Sequence, residues 1–434
     1  MIKSVKYLVV MALFFSLFFH FSSCKEEEIL FDSNGVAIKL PHLWKTSISS
    51  SNNIIDVVVA TPIIYEKDKL LVGADEDDKR TILSLNSADG SINWQWNDLL
   101  SLLSDPTYLD PITLYVETYF KNENRLFFNY SSSSYCLNLA TGLTLWNYKT
   151  LNRSRFSING GIDNTYFTSG STYEPIGEEK IYYGSMMTSD EEQLLLAPEF
   201  TQVDNPVGTT LGRVTHITSF KNGGDIYLAF GMENPYTDFT TKEGMGATEL
   251  NLYNITQSKY EYKKVVVNPN RGTRFIGDLT YQAPNLYFQS SNYIHGHDAM
   301  TGVELWKTHL GSAPLTSSML LADNKLFSAC EDRFLYCVDA NTGNLLWKEQ
   351  NTGTCSELSY LNGVLYYLGG GDGLLHAVDA ETGKHLWKVS SPDLKENSGA
   401  WFYGLCVAVP GKNGSKGVVV ATTGLNAYGY EAIR

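Results

Sequence analysis

The sequence that decides the fold is Ala377-Val378-Asp379-Ala380-Glu381-Thr382-Gly383-Lys384-His385-Leu386-Trp387. A gap-free copy runs from Cys337 to Trp347, and further copies end at Trp306, Trp146 and Trp94. A short unit that recurs at this spacing cannot bury its apolar face alone and must stack against its neighbours. The chain is therefore an array of repeats.

Three positions of the repeat keep the same kind of residue, counted back from the tryptophan. The tenth residue before it is small, as at Cys136 and Cys337, so that a large ring can lie over the backbone. The eighth has a short side chain that accepts turn N–H groups, and these residues are Asn86, Asn138, Asp298, Asp339 and Asp379. The fourth is a glycine, which adopts a left-handed conformation without a steric penalty, and these are Gly90, Gly142, Gly302, Gly343 and Gly383. Apolar residues on both sides predict a strand, a tight turn and a second strand.

Two worn copies fill the gap between Trp146 and Trp306. One runs from Leu252 through Asn254 and Ser258 to Tyr262, and a fainter one runs from Ser185 to Leu195. An eighth unit has only the first half of the motif, from Leu425 to Tyr430, whereas His42-Leu43-Trp44-Lys45 has the ending without the beginning. We therefore expect Trp44, together with Ala427, to mark the closure of a ring.

The repeat period predicts an all-β fold, an eight-bladed β-propeller of four-stranded antiparallel blades. An N-terminal strand is expected to complete the last blade. In the sharpest unit we expect strands at residues 357–361, 364–368, 374–379 and 385–388, with Asp372-Gly373 as a hairpin turn of the primed type. The alternative is a β-sandwich with coincidental glycines and tryptophans, and the matched columns favour the propeller.

The repeat resembles the tryptophan-docking motif of quinoprotein-type propellers, also called PQQ-like repeats. That family includes dehydrogenases that carry pyrroloquinoline quinone (PQQ) and a non-catalytic lipoprotein of outer-membrane β-barrel assembly. The resemblance implies that the tryptophans stack between neighbouring blades as structural residues. These are Trp44, Trp94, Trp146, Trp306, Trp347 and Trp387. The third and fourth units depart from the pattern, because they lack the tryptophan.

The N-terminus is typical of a bacterial lipoprotein signal. Lys3 and Lys6 precede an apolar run from Tyr7 to Phe19, which is too short to be a good membrane span. Small residues then lead to Cys24, the predicted lipidation site, although an ordinary secretory signal remains an alternative. We therefore predict a signal peptide at residues 1–23, an acidic tether at 24–40 and the propeller at 41–434. The expected location is the outer membrane, on its periplasmic face or at the cell surface.

The charge of the chain excludes one class of partner. Its 47 acidic residues outnumber its 33 basic residues, for a net charge of −14, which makes nucleic acid a poor partner. Membrane attachment is expected only through the lipid anchor, and the propeller is expected to be monomeric. Cys330 and Cys355 are spaced so that they could pair between neighbouring units, which the sequence does not decide.

The sequence offers no candidate catalytic or cofactor site. The resemblance implies that a quinone dehydrogenase would have two adjacent cysteines below the cofactor, and no two cysteines are adjacent in this chain. His295 and His297 would share one face of a strand and could converge on a metal ion. Because Gly296 and Asp298 between and beside them belong to the docking motif, we interpret the histidines as structural. We therefore expect no enzyme, no cofactor and no metal.

A binding platform is the remaining interpretation. The long insertion in the fourth unit contains Tyr227, Phe230, Tyr236 and Phe239 among glycines, and long loops in a regular array tend to carry function. We expect these aromatic residues either to form an interaction loop or to pack inside a degenerate blade. The predicted function is a non-catalytic scaffold for an envelope protein or peptide, with barrel-assembly components as candidate partners. A surface receptor for glycan or protein ligands and a PQQ-dependent dehydrogenase are the alternatives.

Overall fold

The structure is a computed structural model in which β-strands account for almost all of the regular elements. It describes residues 30–31, 37–49, 64–66, 68–76, 79–96, 119–122, 124–130, 133–149, 155–162, 165–171, 179–186, 192–196, 213–233, 236–237, 244–245, 248–268, 275–314, 319–353, 355–395, 401–402, 404, 406–412 and 414–434. Within these ranges, no helix is long and apolar enough to cross a membrane.

The strands form four-stranded antiparallel sheets, which we number as blades in chain order. Blade one contains Ile64–Glu66, Lys69–Glu76, Lys79–Asn86 and Ile92–Trp96. Blade two contains Tyr119–Asn122, Arg125–Tyr130, Ser133–Asn138 and Thr144–Lys149. Blade three contains Arg155–Ile162, Thr165–Ser171, Glu179–Met186 and Glu192–Leu196. Blade four contains Arg213–Asn222, Asp225–Glu233, Thr248–Asn254 and Lys259–Asn268.

The second half of the array is built in the same way. Blade five contains Phe275–Gln282, Asn285–Ser290, Tyr293–Asp298 and Glu304–His309. Blade six contains Leu320–Ala322, Lys325–Cys330, Phe334–Asp339 and Leu345–Gln350. Blade seven contains Ser359–Leu361, Val364–Leu368, Leu375–Asp379 and His385–Val389, followed by a short 3-10 helix, Pro392–Lys395. Blade eight contains Cys406–Val409, Val418–Thr422 and Asn426–Glu431.

The last blade takes its fourth strand from the other end of the chain. Trp44–Ser47 pairs antiparallel with Asn426–Glu431, so the described residues form eight four-stranded sheets. The first strand of blade eight also contacts the first strand of blade one. The all-β class, the antiparallel four-stranded blades and the completion of the last blade by an N-terminal strand are therefore confirmed.

Trp44 and Ala427 lie on the two paired strands that close the ring. Trp44 pairs with Gly429, and Ala427 pairs with Thr46. A Cβ on Gly429 would lie 2.8 Å from the indole atom Cζ2 of Trp44, so Gly429 occupies the small-residue position of this blade.

The core lies between blades. In blade five, Leu286 and Phe288 pack with buried residues of blade four, whereas Tyr287 and Ile294 pack with residues of blade six. Successive strand residues point to opposite faces of a sheet, so each blade contributes one layer to two different clusters. Two-sided burial of this kind explains the apolar second and third strands of the repeat.

Two short hairpins stand outside the four-stranded sheets. One pairs Leu30–Phe31 with Ala37–Lys39, and the latter contacts the fourth strand of blade seven. Contacts with the propeller thus begin inside the segment that we predicted as a tether, residues 24–40. The other hairpin pairs Tyr236–Thr237 with Gly244–Met245, between the second and third strands of blade four.

The turn at Asp372-Gly373 is longer than the predicted two-residue turn. Six residues separate the second and third strands of blade seven. The Gly369 N–H donates to Leu374 O, and the Gly373 N–H donates to Gly369 O. The docking turn at Gly383 has the same pattern, with the Asp379 N–H donating to Lys384 O and the Gly383 N–H to Asp379 O.

Candidate functional site

Most junctions between blades place an aromatic ring of one blade on a glycine turn of the next. At the junction of blades five and six, a Cβ on Gly343 would lie 2.6 Å from Cδ2 of Trp306. The indole Nε1 of Trp306 donates a hydrogen bond to Ala340 O at 3.2 Å, three residues before the glycine. The same contacts pair Trp44 with Gly90 and Ser87 O, Trp94 with Gly142 and Leu139 O, and Trp347 with Gly383 and Ala380 O.

The glycines of these turns have a backbone conformation and a close ring contact that disfavour a side chain. Gly90, Gly142, Gly302, Gly343 and Gly383 all have φ between 70° and 76°. L-residues rarely adopt this left-handed conformation, and at Gly90, Gly142, Gly343 and Gly383 the facing ring also leaves no room for a Cβ. The left-handed backbone and the contact with the ring therefore both favour glycine in these turns.

The Asp and Asn side chains of the motif stabilise the turns by accepting hydrogen bonds from backbone N–H groups. Oδ1 of Asp339 accepts hydrogen bonds from the N–H groups of Asn341 and Thr342 at 3.0 and 2.8 Å. Backbone hydrogen bonds from Thr342 lower the pKa of Asp339. Asp298 and Asp379 accept from Thr301 and Thr382 in the same way, as Asx-turns require.

Two of the six motif tryptophans have different surroundings. Trp146 lies against Phe127 and Cys136, and the turn of blade three that it would meet lies outside the described residues. Trp387 is 8% exposed and packs in a cluster with Phe402 and Ala432. Its expected docking turn does not exist as a continuous segment, because blade eight is made from both ends of the chain.

The worn copy in blade four keeps the geometry of the junction without its tryptophan. Leu252 pairs with Tyr262, and the Tyr262 hydroxyl donates to Ala299 O at 3.2 Å. Ser258 occupies the glycine position with φ 52°. The fainter copy in blade three has another register, since Leu195 pairs with Tyr183 and Ser185 pairs with Gln193.

Of the two alternatives for the aromatic residues of blade four, packing inside the blade holds for two of the four, and these two do not form an exposed loop. Tyr227 and Phe230 lie in the second strand, are 7% and 0% exposed, and pack in the core on opposite faces of the sheet. Tyr236 lies in the inserted hairpin, and Phe239 lies outside the described residues. Alternating apolar residues on a buried strand look like a hydrophobic loop when the strand boundaries are not known.

None of the five described cysteines forms a disulfide. Cys136, Cys330, Cys337, Cys355 and Cys406 are all buried, and no disulfide joins Cys330 to Cys355. Burial raises the pKa of Cys330, Cys337 and Cys406 to about 12, so these thiols are protonated and unreactive at neutral pH. Cys24 lies outside the described residues.

A buried carboxylate that the repeat does not contain joins the two ends of the chain. Asp393 is 2% exposed and accepts hydrogen bonds from Thr423 Oγ1 at 2.6 Å, from Asn426 Nδ2 at 2.9 Å and from the Tyr428 hydroxyl. Lys45 Nζ, on the N-terminal strand, lies 3.5 Å away. Burial alone would raise the pKa of Asp393, but these hydrogen bonds together hold it below its usual range.

The histidine pair of blade five has a third neighbour that the sequence did not reveal. His295 and His297 are each 1% exposed, and Glu304 of the fourth strand lies beside both. In the described part of the chain, these three residues form the group whose ligand atoms lie close enough together to hold a metal ion, within 4.8 Å of one another. Glu304 lies two residues before Trp306, where the copies that end at Trp94, Trp146, Trp347 and Trp387 carry Ile92, Thr144, Leu345 and His385.

Comparisons with known proteins agree with the architecture. Residues 289–429 match the family described as outer membrane protein assembly factor BamB. Sqt1 of Saccharomyces cerevisiae has a TM-score of 0.62 at 10% identity, over 92% of this chain and 100% of that chain. Quinohemoprotein alcohol dehydrogenase ADHIIG from Pseudomonas putida HK5 has a TM-score of 0.61 at 10% identity, over 93% and 78%. A europium-containing methanol dehydrogenase has a TM-score of 0.59 at 12% identity, over 91% and 93%.

The similarity is one of fold. No curated protein matches the chain significantly, and identities of 10–12% to the solved structures carry no functional assignment. The chain is a β-propeller of PQQ-like repeats that resembles BamB. Quinoprotein dehydrogenases share the same fold.

Proposed function

We propose that this propeller is a non-catalytic scaffold that binds other proteins in the cell envelope, in the manner of an outer-membrane assembly factor. The observation that carries the proposal is the match of residues 289–429, which span blades six and seven and parts of blades five and eight, to the BamB family. The buried, protonated cysteines and the structural use of the motif residues agree with a role that does not require chemistry.

A recurring strip of exposed apolar side chains suits this role. They lie at or just before the start of the fourth strands and are 46–66% exposed: Leu43, Ile92, Leu143, Val303, Leu305, Leu345 and Leu346. Each fourth strand is the last strand of its sheet, so no further strand of that sheet pairs with its outer edge. Apolar side chains beside a free edge suit an extended apolar segment of a partner protein, which can add to the sheet.

Crosslinking in intact cells tests the scaffold. A photo-reactive residue placed at Leu305 or Leu346 is expected to capture envelope proteins, with barrel-assembly components as the informative catch. The control position is Lys412, which is 64% exposed in its side chain and lies on a loop of blade eight. Capture of the same proteins at all three positions, or of none at the two leucines, would refute the apolar strip as the binding surface.

The inserted hairpin of blade four is a second candidate surface. It extends the connection between the second and third strands, away from the four-stranded ladder. Deleting residues 234–246 is expected to leave the thermal unfolding midpoint nearly unchanged and to reduce partner capture. An unchanged set of captured partners would remove the hairpin from the binding surface.

The proposed anchor is a lipid on Cys24. Several acyl chains hold a protein on a membrane stably, whereas a single chain does not. Cys24→Ser is expected to abolish incorporation of labelled fatty acid and to release the protein into the soluble envelope fraction. Protease added to whole cells then separates a surface location, where the protein is digested, from a periplasmic location, where it is protected.

A quinone-dependent dehydrogenase is the second candidate, because such enzymes share this fold. The chain has no adjacent cysteines to match those that the family resemblance implies below the quinone. Reconstitution with PQQ and calcium separates the two functions. We expect no quinone absorbance to remain with the protein after desalting, and a stable stoichiometric absorbance would favour the enzyme.

A further inference from the structure

Two strands of blade five bring three ligand-type side chains to one face of the sheet. His295 and His297 are two residues apart on the third strand, so their side chains share a face. Glu304 on the fourth strand is the direct cross-strand partner of His297. Glu304 Oε2 lies 3.1 Å from His295 Nδ1 and 3.9 Å from His297 Nε2, and one ligand atom from each residue lies within 4.8 Å of the others.

The hydrogen bonds of His297 leave a ligand atom free. Its Nδ1 lies 2.9 Å from Gly302 O, and because a carbonyl only accepts, the proton is on Nδ1. The lone pair is then on Nε2, which faces Glu304. A backbone carbonyl in this position is the usual partner that orients a metal-binding imidazole.

Both imidazoles have a buried nitrogen without a hydrogen-bond partner. The Nε2 atoms of His295 and His297 are enclosed and make no hydrogen bond in the described structure. Unpaired polar atoms in a buried position are destabilising. The ring of Phe288 covers the site on one side, with its centroid 5.1 and 5.0 Å from those of the two histidines. Burial lowers the pKa of both histidines, which favours the neutral form that binds metal ions.

We propose that His295, His297 and Glu304 bind one zinc-class divalent cation, with a water molecule or a partner's side chain in the fourth position. Two imidazoles and one carboxylate form a common zinc ligand set with an open position, whereas calcium and magnesium prefer oxygen ligands. Tetrahedral zinc at ligand distances of about 2.0–2.1 Å requires ligand atoms roughly 3.3 Å apart. The side chains therefore need to close by an ångström or so. Glu304 is about one third exposed in its side chain, which gives the ion a path from solvent.

One charge opposes the ion. Lys307 Nζ lies 3.6 Å from Glu304 Oε1, and it competes with a cation for the carboxylate. Lys307 is 53% exposed in its side chain, so it can turn away into solvent when an ion binds. This opposition makes a variant without the lysine a sharp test of the site.

Blade seven supplies a matched comparison. It also has two histidines, His376 and His385, at the positions of His295 and Glu304 in the repeat, but Val378 stands where blade five has His297. His376 Nε2 lies 3.1 Å from both carboxylate oxygens of Asp372, and His385 Nε2 lies 3.2 Å from Gln350 O. Within the described residues, Asp372 and these two histidines do not bring three ligand atoms together at the spacing found in blade five, so blade seven is the control for histidines without a metal-binding arrangement.

Metal titration of the purified full-length chain tests the proposal. After chelator treatment, calorimetry with Zn²⁺ is expected to show one ion per chain, and Co²⁺ is expected to give the visible absorption of a tetrahedral site. Glu304→Gln and His297→Gln should weaken zinc binding at least tenfold, whereas His385→Gln in blade seven should leave the affinity unchanged. Lys307→Ala should tighten binding severalfold.

The last variant protects the test against misfolding, because a damaged fold does not gain affinity. Absence of stoichiometric zinc uptake would overturn the proposal. So would wild-type affinity in Glu304→Gln, or equal weakening in His385→Gln. Lys307→Ala with unchanged affinity would show that the ion does not bind at Glu304.

Discussion

The propeller joins its blades in two ways. Between blades five and six, and between six and seven, an indole lies on a left-handed glycine and donates to a carbonyl three residues earlier. Between blades seven and eight, Trp387 packs in an apolar cluster without such a turn, and Asp393 collects hydrogen bonds from three side chains of blade eight. The regular junction is local and repeated, whereas the junction of blades seven and eight combines an apolar cluster with a buried polar site.

The difference follows from the order of the chain. Lys45 and Asp393 are 348 residues apart, so closing the ring carries a loop entropy that neighbouring blades do not face. A buried carboxylate with several good donors is specific, because it fails if any donor is misplaced. The closing blade thus uses polar specificity at the place where two distant ends of the chain have to meet in one register.

The largest expected effect is at this closing site. Asp393→Ala leaves the buried donors of Thr423, Asn426 and Tyr428 without their acceptor, and it should lower the free energy of unfolding by about 3–5 kcal/mol. Denaturant unfolding followed by fluorescence measures the change. The control is Asp68→Ala, which removes an exposed ion pair with Lys412 between blades one and eight and should cost less than about 1 kcal/mol. Equal losses in the two variants would contradict a special role for Asp393.

The same site predicts the direction of a pH effect. Because the folded-state pKa of Asp393 lies below its unfolded value, its contribution is present above the unfolded pKa of about 3.9 and is lost as the pH falls through the folded pKa. The difference in unfolding free energy between wild type and Asp393→Asn should therefore be constant near neutral pH and shrink below about pH 4. A difference that stays constant down to pH 3 would assign the stability to other groups.

The regular junction should respond to a single methyl group. Gly343→Ala combines backbone strain at φ 74° with a Cβ that would lie 2.6 Å from the indole of Trp306, and it should cost about 2–4 kcal/mol. Gly414→Ala is the matched control, since Gly414 has φ 80° but no atom within 4 Å of the added Cβ. Thermal unfolding of the two variants separates the ring contact from the strain. Similar losses of stability in the two variants would mean that the indole of Trp306 moves aside for the methyl group at little cost.

The regular junction was predictable because its physics repeats. A small residue, an Asx side chain and a glycine at fixed distances from Trp347 predict a turn, and the structure has that turn at Gly343. Asp393 has no counterpart in other blades, so no periodicity marks it. The motif of blade eight is divided between the two termini, so spacing alone does not identify Gly429 as its small residue.

The sequence alone revealed two of the three residues of the candidate metal site. His295 and His297 stand out as alternating residues on one strand, but Glu304 comes into place only through the cross-strand pairing with His297. The sequence left the burial of Phe230 undecided for a related reason. Its neighbours across the sheet, not its own segment, decide that its side chain is buried.

The smallest effect concerns the worn junction between blades four and five, where a tyrosine replaces the indole. Tyr262 keeps the donor, because its hydroxyl reaches Ala299 O at 3.2 Å, the carbonyl three residues before Gly302. Tyr262→Phe keeps the ring and removes only this hydrogen bond, so it should cost about 1 kcal/mol in denaturant unfolding. Tyr281→Phe is the control: this tyrosine stacks on Phe220 through its ring, with centroids 3.9 Å apart, and its hydroxyl should contribute less than about 0.5 kcal/mol. If Tyr262→Phe is as neutral as the control, the worn junction is held by ring contact alone, and the carbonyl hydrogen bond is dispensable where the tryptophan has been lost.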